Sequence, residues 1–336
     1  MGPSDSSETE RCQLNTNPSV SPASLTDPHA KTRLKKSSYL KRLGRGKYLL
    51  LLFLPTLLYY LLFKYVPMFG LVISFKNYNL FKGVWQSEWV GLKYYQLFWN
   101  NPDFFKLISN TIMLGIYRLV FGFTAPIVLA LLLNEAKNAL FKRFVQTVSY
   151  LPHFISNVVA VSMVLMFLSP SNGIVNHFIV WLGFEPINFM VMPNMFRPIY
   201  VISEIWQHVG WETIIYLAAL TSIDPQLYEA AEMDGAGRWK RMLHITLPGI
   251  TPAIVIILIL NVGHVLDIGF EKVFLLYNPA VYETADIIST YVYRTGIGQG
   301  NYSYATAIDL FTGIVSLLFI YSANWFSRKV GETSLW

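Results

Sequence analysis

The sequence predicts an all-α integral membrane protein with six transmembrane helices. Three observations carry that reading. Of its 336 residues 53% are hydrophobic and only 14% are charged, where soluble domains carry about 25% charge. The apolar residues gather into stretches near the length of about 20 that a bilayer-spanning helix needs. Lys and Arg concentrate in the segments between alternate stretches, as the positive-inside bias requires.

Residues 1–46 differ from the rest. Met1–Ala30 is rich in Ser, Thr, Pro and Asn, has few large apolar residues and reads as disordered. Lys31–Lys47 holds eight Lys and Arg, the basic flank of a membrane anchor and not a nucleic-acid site. The first apolar stretch starts far from Met1 and shows no small-residue cleavage site, so it reads as a retained anchor. Cys12 is the sole cysteine, which excludes an intrachain disulfide and a cysteine-based metal site.

Six spans are predicted, near Tyr48–Pro67, Ser109–Leu133, Leu151–Ser169, Pro198–Leu220, Pro248–Leu266 and Ala305–Phe326. The third and fourth are the least uniformly apolar: Pro152, His153 and Asn157 interrupt one, and Gln207, His208 and Glu212 the other. An even number of spans puts both termini on one side. On that side the flank 31–47, the two loops and the C-terminal tail carry sixteen Lys and Arg, against seven over the longer opposite loops, so both termini are expected in the cytoplasm. The opposite loops, 75–108 and 267–304, are rich in Trp and Tyr, residues that favour the membrane interface and would also suit a docking face. The domain reading is a basic cytoplasmic tail over 1–46, a transmembrane domain over 47–330 and a C-terminal cytoplasmic tail over 331–336.

Between spans four and five lies a polar cytoplasmic loop, 221–247. Asp224 is a favoured N-cap and Pro225 suits the first helical position, where its missing N–H costs nothing. A helix should start there and run through Tyr228, Glu229, Ala230, Ala231 and Glu232. Asp234 and Gly235 follow, and the glycine permits a bend that a β-carbon would oppose. A second short helix, 238–245, should lead to Leu247-Pro248 at the start of the next span. The loop reads E-A-A-x-x-x-G, nine residues, I-x-L-P.

That spacing resembles the coupling loop of permease subunits in binding-protein-dependent ABC importers. So do Lys64–Met68, Asn110-Thr111, Ala130–Glu135 (A-L-L-L-N-E), Gln146–Phe154 (Q-T-V-S-Y-L-P-H-F) and Gly331–Trp336. From about Gly46 onward the chain resembles the polysaccharide and oligosaccharide (LplB-like) branch. The resemblance implies a type I ABC importer (MetI-like) permease fold in a bacterial cytoplasmic (inner) membrane. It implies a heterodimer with a second homologous permease, two ATPase subunits that bind ATP and Mg, an extracytoplasmic sugar-binding protein and an oligosaccharide substrate from plant or algal polysaccharide. It implies no cofactor in this chain and no nucleic acid. In such a subunit Tyr228, Glu229, Ala230, Ala231, Asp234, Gly235, Leu247 and Pro248 would couple to the ATPase. The chain departs from the pattern in its longer N-terminal tail and at Glu212, where glycine is expected.

Two other classes fit the sequence less well. An ion-coupled secondary transporter would use embedded ionisable groups. Arg118 and Asp309 lie at similar depths in spans two and six, either pairing with each other or snorkelling and capping separately. No internal repeat is visible, however, and the E-A-A loop has no use in such a protein. A membrane enzyme is disfavoured because no H-E-x-x-H, G-x-S-x-G or metal-ligand cluster occurs, and Gly44–Lys47 lacks the spacing of a phosphate-binding loop. The expected substrate path is the polar and aromatic set in spans four and five: Trp206, Gln207, Trp211, Glu212 and Tyr216, with Asn261, His264 and Asp267 three apart on one helical face.

Overall fold

The computed structural model describes residues 47–330 apart from His264. The two expected tails, 1–46 and 331–336, lie outside the described residues. The chain divides into two units, 1–64 and 65–336.

In the first unit Lys47–Tyr60 is helical (α1), and Leu51–Tyr60 is exposed throughout. An all-round apolar, exposed helix is one whose solvent is lipid, because only there do its side chains and its internally bonded backbone both find suitable surroundings. The apolar helical stretch that begins here runs over Leu51–Phe75.

The second unit opens on a small antiparallel ladder, Lys76–Asn77 (β1) with Glu88–Trp89 (β2), in the register Lys76↔Trp89 and Asn77↔Glu88. A helix Lys93–Trp99 (α2) precedes the long apolar helix Phe104–Glu135 (α3). Next come Ala139–Phe154 (α4) and Asn157–Leu168 (α5), bent by 106°. Ile174–Trp181 (α6) leads to Pro193–Leu220 (α7). Pro225–Met233 (α8) is followed by Arg238–Gly263 (α9). Phe270–Leu276 (α10), Ile288–Tyr293 (α11) and Tyr302–Val330 (α12) complete the chain.

Among the described residues four helical stretches are long and apolar enough to cross a membrane, or five if the bent pair counts as one span. The fourth predicted span, α7, has 28 residues, ample length at about 1.5 Å per residue, but its polar side chains keep it outside that apolar class. It also starts earlier than predicted, at Pro193, which occupies the first helical turn. The third predicted span is not one straight helix. Pro152 removes a ladder donor, the backbone tightens into a 3-10 turn over Leu151–Phe154, and the Ser156 hydroxyl caps the new start at Val159 N.

Three buried clusters tie unit two together. One joins α5, α7 and α10 through Val161, Phe196, Tyr200, Val273 and Leu276. A second joins α2, α3, α11 and α12 through Phe98, Leu107, Tyr291, Tyr304 and Ile308. The third packs α3, α7 and α9 through Ala130, Tyr216 and Ile250. The loop aromatics therefore split: Tyr94 is buried in the second cluster, while Trp85, Trp89 and Trp99 stay exposed. Asp286, 2% exposed, accepts two hydrogen bonds from Arg294 at 2.6 and 3.1 Å. That bonding pushes the Arg294 guanidinium further above its ordinary range.

Candidate functional site: an embedded polar seam and an exposed helical knob

The knob forms as its residues dictate. Asp224 Oδ1 accepts from Gln226 N at 2.9 Å, and α8 runs from Pro225 to Met233. Gly235 takes φ +75°, and Ala236 N bonds back to Ala231 O at 2.9 Å, closing the helix end with a left-handed residue. The bend is braced twice: Arg241 donates to Glu232 at 2.9 Å, and the Tyr228 and Thr246 hydroxyls are 3.0 Å apart. Glu229, Ala230 and Asp234 are exposed, and Ala231 is half-buried. The second helix, predicted over 238–245 and separate from the next span, does not end there. A π turn at Met242–Thr246 carries it into one helix that extends to Gly263, because Pro248 follows within a turn that is already helical.

The seam is built where α7 passes the break between α4 and α5. Lys272, 3% exposed on α10, donates to Glu204 Oε2 at 2.8 Å and to Gln207 Oε1 at 3.0 Å. Gln207 in turn donates to the Ile155 carbonyl at 3.1 Å and to Asn157 Oδ1 at 3.2 Å. The backbone acceptor freed by the break is thus satisfied by a side chain, as an apolar surround requires. Asn157 donates to Glu271 at 2.7 Å. Burial pulls the Lys272 ammonium below the usual lysine range, and the Glu204 carboxylate opposes that pull.

On its other side Glu204 faces Arg118 Nε and His208 Nε2, each at 3.8 Å. Arg118 Nη1 also donates to the Asp267 carbonyl at 3.1 Å. His208 and His153 approach Nδ1 to Nδ1 at 3.1 Å, and the His153 ring lies flat against Trp211, centroids 4.6 Å apart at 1°. A narrow cleft opens here, lined by Arg118, Glu204, His208, Glu212 and Asn261.

The predicted path residues are therefore sorted. Gln207, Glu212 and Asn261 belong to the seam or its cleft, and Trp211 stacks beside it. Trp206 points the other way, into an apolar groove with Met163 and Phe167. Tyr216 is 2% exposed inside the α3–α7–α9 core. His264 lies outside the described residues. Asp267 does not share a helical face with Asn261, because α9 ends at Gly263 and a turn, Val265 N to Val262 O at 3.2 Å, comes between. Arg118 pairs with Glu204, and Asp309 has no bonding partner among the described residues. Sequence reasoning missed Glu204 and the inward role of Lys272. A signal existed, since Glu204, His208 and Glu212 repeat every four residues along one face of α7.

Apolar helices around a satisfied polar seam, with an exposed helix–glycine–helix knob at one end, define the membrane subunit of a transporter. Residues 122–332 match the family described as "Binding-protein-dependent transport system inner membrane component". The chain belongs to that family and is a permease subunit of an ABC importer. It is 49% identical over 302 residues to the polygalacturonan/rhamnogalacturonan transport system permease protein YteP of Bacillus subtilis, covering 90% of this chain and 94% of that protein. It is 48% identical over 301 residues to protein LplB of the same organism, covering 90% and 95%. Its fold matches a chain of a bacterial ABC transporter involved in import of the acidic polysaccharide alginate, with TM-score 0.82 and 42% identity over 87% of this chain and 99% of that one.

Proposed function

We propose that this permease forms half of the import path for an acidic oligosaccharide, with the cleft at Arg118, Glu212 and Asn261 lining it. The carrying observation is the exposure of Arg118 to the cleft. Its Nε reaches Glu204 only at 3.8 Å, and it lines the narrow cleft beside Glu212 and Asn261. A guanidinium next to a carboxyl and an amide can meet both the carboxylate and the hydroxyls of a sugar acid. The names of the relatives support the reading, since polygalacturonan and alginate are acidic polymers.

In this reading the chain crosses the membrane six times, with α7 and the bent pair each completing a span and both termini in the cytoplasm. It pairs with a second, similar permease. Two ATPase subunits, which hold ATP and Mg, dock on Glu229, Ala230, Asp234 and Gly235 of the knob. An extracytoplasmic sugar-binding protein delivers the substrate. A related alginate transporter has been solved with a periplasmic protein bound to an alginate pentasaccharide.

Co-purification with mass spectrometry, followed by uptake in proteoliposomes, tests this. The expected result is recovery of a second permease, an ATPase and a binding protein, with uptake of oligogalacturonate or a comparable acid. Recovery of the chain alone, with ion-gradient-driven uptake, would refute it.

A further inference from the structure

Arg197 is the embedded cation for which the seam gives no account. It sits on the first turns of α7, half-buried. Its Nη2 donates to Asn110 Oδ1 at 2.9 Å, while its buried Nε has no acceptor. Arg118, Lys272 and Arg294 each meet a carboxylate. No ion pair engages Arg197 among the described residues. An arginine held by one neutral amide has no carboxylate beside it, and apart from the buried Nε three N–H groups of its planar fork are left to meet one.

The surroundings match a sugar acid. Arg197 lines a groove of about 520 Å³ together with Tyr117, Phe121, Asn194, Thr284 and Ile205. Tyr117 and Phe121 are one helical turn apart on α3, ring centroids 6.3 Å apart, and offer apolar faces for the C–H side of a pyranose. Asn194 is exposed, three residues before Arg197, and has no bonding partner among the described residues, so its amide is free for ring hydroxyls. Ile205 lines both this groove and the Arg118 cleft, so the two are neighbours along α7.

We propose that Arg197, Asn194 and the Tyr117–Phe121 rings form a subsite that receives a carboxylate-bearing sugar ring before it reaches the Arg118 cleft. This rests on the import reading above. Arg197 is a specificity residue: its charge sorts acidic from neutral oligosaccharides, and Asn110 holds its fork in place. Asn110 is itself anchored, donating to the Glu283 and Asp286 carbonyls at 2.9 and 3.0 Å.

The test compares uptake by the complete transporter in proteoliposomes of an oligogalacturonate and of the same oligosaccharide with its carboxyls reduced to alcohols. The wild-type preference for the acidic substrate, read as the ratio of KM values, is expected to fall about tenfold in Arg197→Gln, the size of one charge-assisted hydrogen bond in a wet site. Arg197→Lys is expected to restore most of it. An equal loss for both substrates in Arg197→Gln, without rescue by lysine, means a purely structural arginine and overturns the inference. A wild-type preference that Arg197→Gln leaves intact overturns the assignment while sparing the import reading. A wild-type transporter that shows no acidic preference overturns the substrate reading and this inference together.

Discussion

Lys272 Nζ stands 2.8 Å from Glu204 Oε2, bridging α10 to the middle of α7 across 68 residues of sequence. Both groups are withdrawn from solvent, with side-chain exposures of 4% and 14%. Removing one partner of such a pair strands the other charge, at a cost of about 3–5 kcal/mol. Lys272→Met should therefore lower the melting temperature of the purified subunit sharply. Because Glu204 also meets Arg118, Glu204→Gln added to Lys272→Met should cost less than Glu204→Gln costs alone. Additive losses in the double mutant would show that the pair is not coupled.

Arg118 offers a second cycle. Its Nε lies 3.8 Å from Glu204, while Asp309 lines a separate groove with Phe270, Tyr293 and Tyr302. A double-mutant cycle on detergent stability should give coupling between positions 118 and 204 and none between 118 and 309. Measurable coupling of Arg118 to Asp309 would contradict that packing.

Gly210 and Gly235 separate two uses of glycine. A β-carbon on Gly210 would meet the Ser149 carbonyl oxygen at 2.2 Å, so Gly210→Ala must push α4 off α7. About 1–3 kcal/mol of stability should go with it, visible in thermal melts of the subunit alone. Gly235 has open space around it but a left-handed backbone. Gly235→Val should leave the subunit's melt within a few degrees of wild type and lower ATPase recruitment, whereas Gly235→Asn, which tolerates that backbone, should recruit normally. Similar behaviour of the valine and asparagine variants would disprove the role of the bend.

Glu229 is exposed, so Glu229→Lys should not unfold the chain. If the residue seats in the ATPase, the loss of that contact costs about 2–5 kcal/mol at the interface. Pull-down of the ATPase should then fail although the permease pair still forms. Normal recruitment and uptake would remove Glu229 from the interface.

Asn261→Ala and Tyr216→Ala should fail in different ways. Asn261 donates to Ile257 O of its own helix at 3.0 Å and lines the cleft, so its loss should lower sugar uptake in an assembled complex. Tyr216 is core, and its truncation should cost about 3–5 kcal/mol of stability. Unchanged uptake in Asn261→Ala would place the path on other residues.

The parts legible in the sequence were those fixed by local chemistry. Asp224 and Pro225 set the start of α8, and Gly235 set its end, because caps and left-handed turns depend on a few adjacent side chains. The apolar stretches inside α3 and α9 were legible as spans, although both helices begin earlier than expected, α9 by ten residues. The 106° break was not, although Pro152 and Ser156 mark it, since a proline near a span's start reads equally well as a helix beginning. Neither was the seam. Lys272 counts as one more loop lysine until folding brings it to Glu204, and no spacing rule connects positions 68 apart. Trp206 and Tyr216 went astray because an aromatic residue carries the same composition signal whether it faces a cleft, a groove or a core.

The continuous helix α9 fixes a length. It holds Trp239 of the knob and Asn261 of the cleft on one rod of 26 residues, about 39 Å long. One residue inserted between them would swing Asn261 by about 100° around the rod, away from Arg118, without altering a single side chain. Insertions and deletions should therefore be far less tolerable in this segment than substitutions, and lineages of this permease should keep the count from knob to cleft unchanged even where its apolar residues exchange freely.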